Sequence, residues 1–350
     1  SCIIKNKYGK VEMSTSFSSN HNFSKGFFYV ADGTFNFYDT EKKTAYQDCY
    51  ASLNAGKTLG IGNYDSANII HSNGKFYLLV GTSTSNRDHF YIVDAKTLYY
   101  ENSAVVGANL SGLTILNEQY GLVTGDGIRR IDLKSLNNVR IKNERLLCFY
   151  NSIIYNGKVL SNDTYKDESK VKYYDVNELI AAKEGEAPAV TELDIIQKQK
   201  INFVLAKDGN VYTLESADNG CNIVKIKNDF TLEKVFANFQ PAKGPYHSSP
   251  TIGMVASETE NIIYLVSTDG AIYKYILGDS DSLKAPFIAA ESGVSITAPL
   301  QLNQQSGELY VTYTEERKDE SKIVVYSKDG KVLHTVDCGE SVPSQILFNN

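Results

Sequence analysis

Seven times the chain writes a turn and then a short strand with Tyr or Leu at a fixed place. SKGFFYV carries Tyr29, SNGKFYLLV Tyr77, NEQYGLV Tyr120, YNGKVLS Leu160, KDGNVYTL Tyr212, TENIIYLV Tyr264 and QSGELYVT Tyr310. The steps are 48, 43, 40, 52, 52 and 46 residues, a mean of about 47. A period of this length built from strands marks a β-propeller, where each unit buries its faces only by stacking on its neighbours. The expected fold is all-β: a seven-bladed β-propeller with four-stranded antiparallel blades. Seven such units use nearly all 350 residues, which predicts one domain over 1–350, with 1–25 as an N-terminal segment.

Each repeat follows one plan: an apolar strand, a turn, the Tyr strand, and two further alternating strands. The third strand tends to end in Asp, as at Asp39, Asp94, Asp132 and Asp175. These carboxylates could form a ring, but an Asp followed by polar residues reads better as a turn that accepts amides two or three residues on. DVNELIAAKEGEAPAV is the one segment that predicts a helical turn. A ring must also be closed. The last residues, SVPSQILFNN, resemble the strands that open other repeats, yet no Tyr strand follows them. Residues 341–350 are therefore expected to supply the inner strand of the first blade, with SFSSNHNF as the alternative.

Composition narrows the function. The net charge is −6 and no basic stripe appears, which argues against nucleic acid as a partner. No apolar run is long enough to cross a membrane as a helix. The 24 Tyr, with no Trp, suit strands, and most read as blade packing rather than contact surface. The five Cys include no CxxC pair, so a zinc knuckle is not expected and most read as buried free thiols. Cys2 differs by position. A chain beginning Ser1-Cys2 reads as processed, with Cys2 the candidate lipid anchor of an exported protein or simply the start of a trimmed chain.

Catalytic signals are sparse. The five His are scattered and none pairs at helical zinc spacing. There is no GxSxG elbow and no Walker loop. GDSDSL lacks the full ligand spacing of a calcium loop. No catalytic residue, metal or cofactor is assigned. The connections before each inner strand should converge on one rim of the ring, where loops carry function. They supply Asn63, Tyr64, Asp65, Asn109, Arg145, Tyr246, His247, Ser248 and Ser295. Stacking faces from Tyr and His beside Asn, Ser and Arg suit a polar, partly aromatic ligand such as a sugar or cofactor. KGPYHSSP is the richest of these segments, although it also reads as a Pro-bounded loop with a capping Ser.

The run NGKFY with IVDAKT, GDGIRRIDLKSL and STDGAIYKY resembles the seven-bladed YncE-like propellers. More narrowly, it resembles surface-layer-type lipoproteins of gut Bacteroidetes in domain-of-unknown-function family 5074, over nearly the whole chain. Relatives of this kind include surface lipoproteins that capture cobalamin for an outer-membrane TonB-dependent transporter. The resemblance therefore implies binding without catalysis, a transporter partner and a surface or periplasmic location. It also places Asp65-Ser66-Ala67 and Asp281-Ser282-Leu283 within an O-glycosylation pattern. The function expected is capture of a small nutrient, a cofactor or glycan, for uptake. Two alternatives remain: a protein-interaction platform, or a propeller-type polysaccharide lyase or glycosidase using rim carboxylates such as Asp65 and Glu144.

Overall fold

The structure, a computed structural model, describes residues 22–349 apart from 58, 60–63, 83–87, 108, 111, 148–151, 163–167, 199–200 and 243–252. It also gives the backbone of a hairpin, Cys2–Asn6 with Gly9–Met13, and the backbone alone at 64–67, 82 and 145–147. Seven small antiparallel sheets make the seven blades of a propeller.

Blade 2 shows the full plan, with Tyr64–Ser72 as its inner strand, then Lys75–Thr82, Asp88–Asp94 and the outer Tyr100–Gly107. Blades 4 and 5 repeat it. Blade 1 takes its inner strand from the far end of the chain. Pro343–Leu347 pairs antiparallel with Gly26–Ala31, followed by Thr34–Asp39 and Thr44–Tyr46. The ring is thus closed by a strand more than 300 residues away in sequence from its partner. Blade 7 splits its inner strand into Val294–Ile296 and Gln301–Leu302, both paired with Leu309–Glu315.

Two blades depart from four strands. In blade 3 the second and third strands run together as Tyr120–Asp132. This element folds back at Gly125-Asp126-Gly127: the Leu133 amide donates to the Gln119 carbonyl at 2.8 Å, and Ile131 lies against Gly121. Blade 6 has three strands, Met254–Ala256, Ile262–Val266 and Ile272–Ile276. Its fourth position holds only a 3-10 turn, Ser280–Leu283, and a single bridge from Ile288 to Ile272.

The core lies between blades, in seven apolar clusters, one per interface. The sequence GFFYVA explains how. Phe28 and Val30 face blade 2, packing with Phe76 and Leu78. Phe27, Tyr29 and Ala31 face blade 7, packing with Tyr310 and Ile323. Alternate residues of a strand point to opposite faces. A blade covered on both faces therefore reads as a continuous apolar run rather than an alternating one. Tyr77, Tyr212, Tyr264 and Tyr310 are all buried and face the next blade. Tyr29 is buried but faces the preceding one, and Phe28 holds the equivalent place. Tyr120 faces the next blade, but lies two residues before the repeat position, which Leu122 fills in the blade 3–4 cluster.

The Asp turns repeat as expected. Asp39 Oδ1 accepts from the Glu41 and Lys42 amides at 2.9 and 2.8 Å. Asp94 and Asp132 do the same with Lys96 and Thr97, and with Lys134 and Ser135. Asp175 caps the short helix Val176–Ala181 through the Glu178 amide. The acidic segment before Leu283 is also local structure, with Asp279 capping the 3-10 turn. Side-chain amides tie inner strands together: Gln345 Nε2 donates to the Ile69 carbonyl, and Asn202 both donates to and accepts from the Met254 backbone. Cys49, Cys221 and Cys338 form no disulfide; the first two are buried and Cys338 is half-buried. Burial raises the pKa of the Cys49 thiol and pushes that of Cys338 up to about 12. Such thiols pack as small apolar groups.

Candidate binding cleft at the connection end of the ring

The turns joining second to third strands and the connections joining outer to inner strands share one end of the ring. A cleft of about 370 Å³ opens there between blades 5 and 6. One wall is the outer strand of blade 5, Leu232–Phe239, which presents Phe236 and Phe239. The other is blade 6, which presents Tyr273, Leu283 and the turn Ser267-Thr268-Asp269. The cleft follows from the missing fourth strand. Phe236 meets Tyr273 and Leu283 where other blades carry a complete outer strand. Phe239 and Tyr273 stand edge to face, with centroids 5.9 Å apart.

Its mouth is polar and well held. The Thr268 amide donates to the Gln240 carbonyl at 2.8 Å, joining the two blades. Asp269 accepts from the Ser267 hydroxyl and from the Ala271 amide, the latter at 3.1 Å. These bonds, the hydroxyl first, lower the pKa of Asp269 and keep it ionised. Gly220 (φ +81) lets Gln240 approach, since a Cβ there would fall 2.4 Å from Gln240 Nε2. Asn238 (φ +63) sits in the bulge between the Ile223–Phe236 and Cys221–Phe239 pairs. Aromatic walls with an anionic and amide-lined mouth suit an organic ligand that has a flat apolar body and a donor or cationic group.

The expected rim residues are dispersed among blades. Tyr64 and Asp65 stand on the inner strand of blade 2 rather than in a loop. Arg145 belongs to the outer strand Asn138–Leu147, its backbone opposite Asp126, because pairing in blade 3 continues into the turn itself. Glu144, on the same strand, is paired with Lys142 at 3.3 Å. Ser295 is likewise in a strand, where its Oγ donates to Glu316 Oε1 at 3.0 Å. Asn109 remains in a connection, exposed and at φ +56. Asn63, Tyr246, His247 and Ser248 lie outside the described residues, and Cys2 is described in backbone only. The chain carrying Tyr246 to Ser248 does leave beside the cleft: Gln240 lines it, and the Ala242 amide bonds to the Val266 carbonyl at 2.9 Å. Sequence reasoning missed Phe236, Phe239, Tyr273 and Asp269. The usable signal was the absence of a fourth-strand pattern after AIYKYILGD.

Among the described residues, no group of three His, Cys, Asp or Glu could hold a metal, and no helix is long and apolar enough to cross a membrane.

Fold and cleft together define a seven-bladed β-propeller with a ligand-sized cleft at one end. The chain belongs to the family described as Domain of unknown function (DUF5074), whose model matches residues 23–349. No curated protein matches it in sequence. Among solved structures it is similar to a functionally unknown protein from Desulfotomaculum acetoxidans DSM 771. That likeness is at 12% identity and TM-score 0.57, covering 93% of this chain and 100% of the other. It is also similar to part of a prolyl endopeptidase, at 11% identity and TM-score 0.51, over 78% of this chain and 43% of that one. At these identities the likeness is one of fold.

Proposed function

We propose that the protein is a non-enzymatic binding propeller whose blade 5–6 cleft captures a small organic ligand for delivery to a transporter. The observation that carries this reading is the cleft itself. It has the volume of small-molecule sites, aromatic walls and a fixed anionic mouth. Tyr246, His247 and Ser248, read from the sequence as ligand contacts, follow Gln240 and Ala242 in the chain and are kept in the proposal on that reading alone. The resemblance to surface-layer-type lipoproteins supports a surface or periplasmic location and an outer-membrane barrel as recipient. It makes cobalamins, haem, siderophores and gut glycans the first ligands to try. The test is a thermal-shift screen of the whole chain against these four classes. A saturable shift that Tyr273→Ala and Tyr246→Ala abolish supports the reading. A shift unaffected by both places the ligand elsewhere.

A protein-interaction platform is the second reading. The observation favouring it is that Val332 and Leu333, adjacent on the outer strand of blade 7, are 60% and 46% exposed. Retention of a partner that depends on these two residues, with no response to small ligands, would move the assignment there.

A further inference from the structure

Blade 3 carries two arginines directly opposite one another. Arg129 and Arg140 are register partners across its last two strands. Like charges so placed repel, and a guanidinium does not shed its proton in a protein. One carboxylate, Asp126, serves both: it bonds Arg140 directly and acts on Arg129 only through its charge. Asp126 Oδ1 accepts from Arg140 Nη2 at 3.0 Å. Arg129 has the neutral Asn138, whose Oδ1 accepts from Nη1 at 3.1 Å, and no carboxylate pairs with it among the described residues. Both Nε groups are buried and unbonded. Burial, and then the charge of Arg140, lowers the pKa of Arg129.

The neighbouring cations are accounted for elsewhere. Lys142 donates to the Tyr174 hydroxyl and pairs with Glu144. Arg130 donates to the Leu179 and Ala182 carbonyls at the end of the short helix. Glycines let the backbone pass close by: a Cβ at Gly107 would lie 3.0 Å from Leu110 Cδ1 and 3.2 Å from Arg129 Nε, and one at Gly127 would lie 2.1 Å from the Lys142 carbonyl and 3.3 Å from Arg140 Nε. Both arginines are half-buried as residues.

We propose that Arg129 and Arg140 form a clamp for a small oxyanion, a carboxylate or phosphate group bound between the two guanidiniums. The planar forks of arginine match both groups. The bound anion cancels the excess charge that the fold leaves in place, so its binding stabilises the native state by linkage. This site lies at blade 3 and is independent of the blade 5–6 cleft.

The test is thermal unfolding and calorimetric titration of the whole chain in zwitterionic buffer at constant ionic strength. Inorganic phosphate and acetate are compared up to about 10 mM. A saturable rise in melting temperature with either is expected. A response to phosphate alone assigns a phosphate-type ligand, and a response to acetate assigns a carboxylate. Arg129→Gln should weaken binding about tenfold or more and, without anion, should melt no lower than the wild type because repulsion is relieved. Lys284→Gln, an exposed lysine paired with Asp281, should leave binding unchanged. No saturable response to either anion, an equal response in Arg129→Gln, or an Arg129→Gln protein that melts well below wild type without anion would overturn the proposal.

Discussion

The two ends of the ring are built differently. At one end the strands are joined by short, stereotyped turns. Asn73-Gly74 and Asn156-Gly157 hold positive φ at both positions, as two-residue hairpins require, and Asp carboxylates bind successive amides after the third strands. At the other end the joins vary freely. Three residues, 340–342, link blade 7 to the inner strand of blade 1, whereas fourteen, 240–253, link blades 5 and 6. The cleft and the arginine pair both lie toward this variable end. Repetition at one end secures the scaffold, and the other end is then free to carry sites without disturbing the interblade cores.

That contrast can be broken from the scaffold side first. Phe28→Ala removes a ring packed against Phe35, Phe37 and Phe76 at about 5 Å and should cost about 3–5 kcal/mol in denaturant unfolding. Ile346→Ala in the closing strand, where the side chain is 1% exposed, should cost about 2–4 kcal/mol. A cost near zero for Ile346→Ala would mean that the ring does not depend on this strand.

Asp88, at the variable end, provides the next test. It is buried and accepts from the Leu110 amide. Burial pushes its pKa up to about 6, against which the amide works. A raised carboxyl contributes stability that is present below the unfolded value near 4 and is lost as pH rises through about 6. Asp132 and Asp175, at the turn end, go the other way. Hydrogen bonds from Ser135 and from Lys158, respectively, are the leading causes of their lowered pKa values. Their contributions are present above about pH 4 and are lost below it. Asp88→Asn should therefore flatten the pH dependence of melting between about 4 and 6 and leave the fall below 4 intact. An unchanged slope between pH 4 and 6 would show that Asp88 is not the group responsible.

Smaller effects follow. Asp39→Ala removes two amide bonds at a turn and should cost about 1–2 kcal/mol. Val332→Ser, on an exposed outer strand, should stay within about 0.5 kcal/mol. A larger loss there would mean that the outer strand of blade 7 is covered by something in solution.

The fold was legible because its period is written in strand chemistry. GFFYVA and KFYLLV are apolar on both faces for the same reason, being sandwiched between blades. What could not be read was register within a blade. Tyr29 looks like the repeat residue, but Phe28 occupies its place, because an apolar run buried on both faces carries no alternation to set the phase; Tyr120 shares its face with Leu122 and is displaced by one pair along the strand. The site was less legible still. Arg145 and Ser295 read as loop residues although pairing extends through them, and the cleft arises from a strand that blade 6 lacks. A missing element leaves no motif. Its walls, Phe236 and Tyr273, look like any other strand aromatics until the neighbouring blade is seen.

The most direct measurement is ligand-dependent hydrogen exchange on the whole chain, with whichever compound gives a saturable thermal shift. Protection confined to residues 232–242 and 267–283, and lost in Tyr273→Ala, is the result this account predicts. Protection at the opposite turn end, or at blade 7 alone, would contradict it.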